Sequence, residues 1–213
     1  MRQHKEHKNT VSSRIINIAT IAVAIGIAAI LIAMSFSKGL QKEIRFKASV
    51  FNGQILITTF ENNESQVSLT PFEDYKELRI KIKNHPNFER IHAVAVKAGM
   101  FKTNNDFEGI LLKGVSNEFD WRSLKGFLTQ GSFPQYSENS NNEILISEII
   151  ANKLDLEVGD NVNAFFQSNQ IEGLPKRRKF TIVGTYFSGF PDIDQNLIYF
   201  LQQFRLVKNS FHQ

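Results

Sequence analysis

From Ile15 to Ser37 the chain runs 23 residues without a charged side chain, IINIATIAVAIGIAAILIAMSFS. Inside hydrocarbon every backbone N–H and C=O must find its partner within the segment, so a run of this kind is confined to a helix. At about 1.5 Å per residue it reaches roughly 34 Å, enough to cross an apolar core of about 30 Å with modest tilt. A secretory signal has an apolar region of only about 7–15 residues. The run is too long for one, although Ala33-Met34-Ser35 offers a small-x-small peptidase pattern. Ala22, Gly26, Ala29 and Ala33 recur at helical spacing; they suit either close helix approach in lipid or a plain Ala-rich anchor.

Charge follows this segment. Residues 1–47 hold eight Lys/Arg against Glu6 and Glu43, so the rest of the 213-residue chain is slightly acidic although the total is +4. The basic excess therefore flanks a membrane span and does not argue for nucleic acid. Positive-inside counting gives no orientation, because four basic residues and one Glu lie on each side. Size decides instead: the short leading tail is expected inside and the long remainder exported. Beyond the span Phe36, Leu40, Ile44 and Lys47/Ala48 keep helical spacing, so the helix is expected to continue for several turns as a stalk.

The remainder reads as alternating strands and helices. Gln54–Phe60 is β-branched and apolar, a strand, and Glu61–Gln66 is a polar loop holding the sequon Asn63-Glu64-Ser65. Thr70-Pro71-Phe72-Glu73 has the form of a helix start, with Phe72, Tyr75, Leu78 and Ile82 on one face and a stop at Asn84-His85-Pro86. Arg90–Ala98, Met100–Lys102 and Glu108–Val115 are expected strands, the last two joined by a turn at Thr103–Asp106. Residues 116–142 are loop-rich, with Trp121, Leu124 and Phe127 as anchors and Ser137–Asn142 as a solvated tip. Glu143–Ile146 is a strand, Ser147 a cap for the helix Glu148–Leu154, and Leu156–Asp160 a turn. Strands Asn161–Gln167 and Arg178–Gly184 flank a polar hairpin at Ser168–Lys176, and Leu197–Phe200 precedes a helix-like stretch at Leu201–Lys208. Interleaved helices with hairpin-joined strands predict an α+β fold with a mixed or antiparallel sheet.

Chemistry is sparse. The chain has no cysteine, which removes disulfides, thiolate metal sites and thiol nucleophiles. There is no phosphate loop, dinucleotide fingerprint, nucleophile elbow or H-E-x-x-H motif. His4 and His7 sit in a terminal basic tail; His85 belongs to a helix stop and His92 to a strand. Asp192-Ile193-Asp194 follows Pro191 and reads as a turn before it reads as a carboxylate pair. Ser188 has no visible His or Asp partner. No catalytic, metal or cofactor residue is assigned, and the chain is not expected to be an enzyme. Pro175-Lys176-Arg177-Arg178-Lys179 reads either as a solvated hairpin foot or as a docking surface for an acidic partner. The seven-residue connection Asn169–Pro175, longer than strand pairing needs, adds Ile171 and Leu174 near its tip. The candidate partner-binding residues are thus Ile171, Leu174, Pro175, Lys176, Arg177 and Arg178.

Several stretches in order carry a resemblance. They are Ile110–Val115, Leu128–Phe133, Ile146-Ser147-Glu148 with Ala151–Asp160, Phe180–Gly189 and Asp194–Tyr199. With the basic tail, apolar helix and stalk, they resemble the amino-terminal half of bacterial ABC-transporter permeases with a MacB-like periplasmic core domain. Among these FtsX-like permeases the lipoprotein-releasing (Lol-type) branch is the most similar. Such permeases continue through further transmembrane helices, so this chain is expected to be a fragment or a stand-alone relative. The resemblance implies a cytoplasmic tail over 1–14, a transmembrane helix over 15–37, a helical stalk over 38–50 and a periplasmic core domain over 51–213. It implies residence in a bacterial inner membrane and contact with lipid. The partners it implies are a separate cytoplasmic ABC ATPase, a second permease subunit in a homo- or heterodimer, and a periplasmic lipoprotein carrier. The carrier would be hooked by the hairpin beside its basic foot. The alternative function is a membrane-tethered binding or scaffolding module without transport.

Overall fold

The computed structural model describes residues 3–60, 67–68, 70, 72, 75–83, 85–86, 88–103, 106–135, 142–167 and 175–202, with side chains from residue 13 onward except at 76. The chain divides into two compact units, Met1–Ile55 and Leu56–Gln213.

The first unit is one helix, α1, unbroken from Gln3 to Asn52. It is the one helix among the described residues long and apolar enough to cross a membrane. Its few hydroxyls cost little in an apolar setting because they bond back along the helix: Thr20 Oγ1 donates to the Ile16 carbonyl (2.9 Å) and Ser35 Oγ to the Leu31 carbonyl (2.8 Å). Past the apolar run, Glu43 and Lys47 pair one turn apart at 3.9 Å.

The second unit contains α2 (Tyr75–Lys83), β1 (Val94–Lys102), β2 (Phe107–Val115) and a 3₁₀ segment (Trp121–Phe127). β3 (Leu128–Gly131), β4 (Glu143–Ser147), α3 (Glu148–Leu154), β5 (Asn161–Phe166), β6 (Lys176–Tyr186), α4 (Pro191–Asp194) and β7 (Leu197–Leu201) follow. The fold is α+β with a mixed sheet, as the sequence predicts. β4–β6 and β2–β7 are parallel, while β1–β2, β1–β5, β5–β6, β4–β7 and β3–β6 are antiparallel. The sheet order is β3-β6-β4-β7-β2-β1-β5, and β5 pairs with β6 as well. Six strands therefore close into a barrel, and β3 attaches to the far half of β6.

Alternation along each strand fills this barrel. Phe101, Ile110, Ile146, Val162, Ile182 and Ile198, one from each barrel strand, belong to a single buried cluster. Ile150, Ala151 and Leu154 of α3 complete it. Lys153 of α3 reaches Glu108 of β2 at 2.6 Å, so α3 is fastened at the end of the barrel where β4 terminates. Outside the barrel, rings from residues 119–121 pack on Tyr199 of β7. Phe119, Trp121, Phe133, Tyr186 and Tyr199 form a chain of ring contacts with centroids 4.8–6.0 Å apart.

Several expectations need correction. Gln54–Phe60 forms no strand, and Ile55 and Phe60 are 83% and 90% exposed. Strand propensity measures fit to a paired, half-buried surface, and no described strand lies in register beside this stretch. Helix α2 begins at Tyr75, since Thr70 and Phe72 are not helical; Pro71 and Glu73 lie outside the described residues. Tertiary contacts fix that start: the Tyr75 hydroxyl and the Arg79 guanidinium both donate to Glu118. Arg90–Ala98 and Met100–Lys102 are not two strands. β1 starts at Val94 and runs through Gly99, where a Cβ would lie 2.6 Å from the Phe166 ring. Arg90, upstream, is drawn to Asp120 instead. The 116–142 stretch holds the 3₁₀ segment and β3, which ends at Gly131 (φ 73°), where a Cβ would collide with the Val183 carbonyl oxygen. β6 begins at Lys176 and ends at Tyr186, wider than expected at both ends. The loop 61–66, the tip 137–141 and the 203–208 part of the helix-like stretch lie outside the described residues.

Two measurements check this packing. Ser147 caps α3 by accepting from the Ile150 N–H (3.1 Å) while its hydroxyl donates to the Asp194 carbonyl. Ser147→Ala is expected to cost about 1–3 kcal/mol, read as a lowered urea midpoint. Lys113 is 7% exposed, its ammonium 5.5 Å from the centre of the Tyr199 ring, and burial pushes its pKa down to about 8 from 10.5. Between those values the unfolded chain binds the extra proton, so stability should rise with pH above 8. The gain is about 3 kcal/mol at most before tyrosine ionisation in the unfolded state reverses it. Lys113→Met should remove most of that rise, leaving the smaller share that comes from Lys97.

Candidate partner-binding site

The end of the barrel away from α3 carries the basic residues that open β6. β6 runs parallel to β4, and β4 leads into α3, so the amino-terminal end of β6 lies at the opposite rim. Lys176, Arg177, Arg178 and Lys179 are therefore strand residues paired with Phe166, Phe165, Ala164 and Asn163 of β5. Period two divides them between faces. Arg178 shares parity with buried Phe180 and Ile182, whereas Arg177 and Lys179 lie on the exposed face.

Arg178 is only half-exposed. Its Nε donates to Asn142 Oδ1 (3.0 Å), and its guanidinium lies 5.1 Å from the Phe180 ring centre and 5.5 Å from that of Phe200. Burial lowers its pKa. Lys97 of β1 joins the same rim, its ammonium 5.6 Å from the centre of the Phe166 ring. Burial lowers the Lys97 pKa, and repulsion from Lys176 lowers it further. The foot is thus two things: an inward group, Lys97 and Arg178 seated on aromatic rings, and an outward group, Arg177 and Lys179, facing solvent. Lys97, Phe166 and Asn142 escaped sequence reasoning because they reach this rim only through barrel register. The parity of Arg178 with Phe180 and Ile182 was the available signal for its inward face. Of the hairpin residues singled out, Pro175 is exposed at its end, and Ile171 and Leu174 lie outside the described residues.

The other candidates resolve into structure. Asp194 is buried, and its carboxylate accepts from the N–H groups of Ser188 and Gly189, both at 2.9 Å. It holds the Ser188–Gly189 loop from the last residue of α4, and the expected turn at Asp192–Asp194 is a short helix instead. The Ser188 hydroxyl accepts from the Phe190 N–H within that loop. His92 packs edge-on against Phe119, and His85 follows the end of α2. The side chains of His4 and His7 lie outside the described residues. Among the described residues no group of three His, Asp or Glu could hold a metal ion.

A helix of membrane-spanning length followed by a closed mixed barrel with a basic rim defines the class: an α+β extramembrane domain carried on an amino-terminal helix. The chain belongs to the MacB-like periplasmic core domain family, whose model matches residues 18–211. A similar solved structure is the extracellular domain of the noncanonic ABC-type transporter YknZ from Gram-positive bacteria, at 20% identity and a TM-score of 0.41. The match covers 65% of this chain and 66% of that one, so the chain spans just under two thirds of that structure. No curated protein matches the chain.

The split of the basic foot is testable. Arg178→Ala should cost about 1–2 kcal/mol, because it removes both the ring contacts and the aliphatic stem that covers them. Arg177→Ala should stay within about 0.5 kcal/mol of wild type. Urea titration of the two variants in parallel separates them.

Proposed function

We propose that the chain is the amino-terminal half of an ABC-transporter permease subunit, and that it turns ATP-driven movement in the cytoplasm into movement of an exported domain. The observation that carries this reading is family membership over residues 18–211, a span that takes in both the apolar helix and the barrel. The unbroken helix supports it. A coupler needs a stiff element through the bilayer, and α1 continues well past Ser37, to Asn52. In this reading residues 1–14 are cytoplasmic, 15–37 cross the inner membrane, 38–50 are the stalk and 51–213 are periplasmic. The ATPase is a separate subunit, and a second permease subunit completes the path, since a lone span cannot shield a polar cargo from lipid.

The finer reading is lipoprotein release to a periplasmic carrier, hooked by the connection around Ile171 and Leu174 with Pro175, Lys176, Arg177 and Arg178 beside it. Apolar anchors supply affinity and the outward cations steer an acidic partner. An alkaline phosphatase fused after Gln213 should be active in a bacterial host; an inactive fusion inverts the topology. For the carrier, calorimetry of the full chain in detergent should show Ile171→Asp, Leu174→Asp and Arg177→Glu each losing roughly ten- to a hundredfold in affinity. Wild-type binding by all three leaves the topology intact and removes the hook.

A further inference from the structure

We propose that residues 116–127, tied down by α2, form an acid-sensitive latch over the outer face of the sheet, released when His92 takes up a proton. The latch has two hooks and a wedge within three residues. Glu118 is one hook, receiving hydrogen bonds from Tyr75 and Arg79 of α2. Asp120 is the other, receiving them from Arg90 and from Arg122. Phe119 between them is the wedge, buried against Trp121 (4.8 Å) and Tyr199 (6.0 Å).

His92 holds the third side of this wedge, its ring edge-on to Phe119 at 5.0 Å. The charged groups that act on it come from two elements: Lys113, buried on β2, and Glu118 of the latch itself. Tyr199 of β7 lies under the Lys113 ammonium, and the Tyr186 hydroxyl of β6 is committed to the Leu197 carbonyl. Arg79 and Tyr75 of α2 enter only through Glu118. A neutral imidazole suits this site. An imidazolium would set a second cation near Lys113 in a half-buried aromatic pocket, while Glu118 is already engaged by α2.

The linkage has a definite sign. Burial first, and Lys113 second, hold the His92 pKa below its usual 6.5, with Glu118 opposing. A released latch exposes His92 and restores its affinity for protons, so the closed form loses stability as pH falls below 6.5. The Asp120 hook does not titrate in that window. Its hydrogen bonds with Arg122 and Arg90 hold its pKa down to about 2.

Trp121 is the chain's single tryptophan and stacks on Phe133 at 5.4 Å inside this cluster, so its fluorescence reports on the latch directly. The full chain in detergent micelles is titrated from about pH 8 to about pH 5. The expected result is a reversible red shift of Trp121 emission with a midpoint below 6.5, absent in His92→Phe. In Lys113→Met the midpoint should move up toward 6.5, an effect that a purely packing role for His92 does not produce. If His92→Phe fails to fold, His92→Gln takes its place, and the NMR titration of the His92 ring gives the midpoint in wild type and Lys113→Met. The proposal is overturned by any of three results: no transition in wild type, an unchanged transition in the His92 variant, or an unmoved midpoint in Lys113→Met.

Discussion

Strand β6 is the shared edge on which the rest of the domain is assembled. Its eleven residues pair with β5 over the first half and with β4 over the second, and β3 follows β5 along the same side. At Thr181 both β4 and β5 are in register, and that residue closes the circuit. Without this overlap the sheet would be an open one with β5 hanging from β1 by three residue pairs. Closure turns the alternating residues of six strands inward at once, which is why one contiguous cluster accounts for the barrel core.

What the sequence made legible is what local pattern controls. Glu143–Leu154 shows an apolar run, a serine cap and a helix, and the structure has β4, the Ser147 cap and α3 in that order. The β1–β2 hairpin follows from two strands around a polar turn. β3 was illegible for the opposite reason. Leu-Thr-Gln-Gly has no apolar alternation, is largely exposed, and is a strand only because β6 extends far enough to receive it. Gln54–Phe60 is the reverse case, β-branched and apolar yet part of no described strand.

The same distinction governs the candidate site. Composition finds a cluster of four cations at 176–179 and treats it as one surface. Pairing with β5 makes it two, and the inner pair is assembled across strands, Lys97 from β1 with Arg178 from β6. Cations resting on aromatic rings are held in place at some cost to solvation, whereas Arg177 and Lys179 keep their water and can give it up to a partner.

Closure also sets an order of events during synthesis. β2 needs β7 beside it, with Leu111 against Leu197, and β7 lies among the last residues described. Until that strand emerges, β2 and β4 each lack the neighbour that separates them in the finished barrel. The apolar faces of β1, β2, β4, β5 and β6 must wait on the same event. The apolar helix leaves the ribosome well before β7 does, so the barrel closes only after α1 has been made in full.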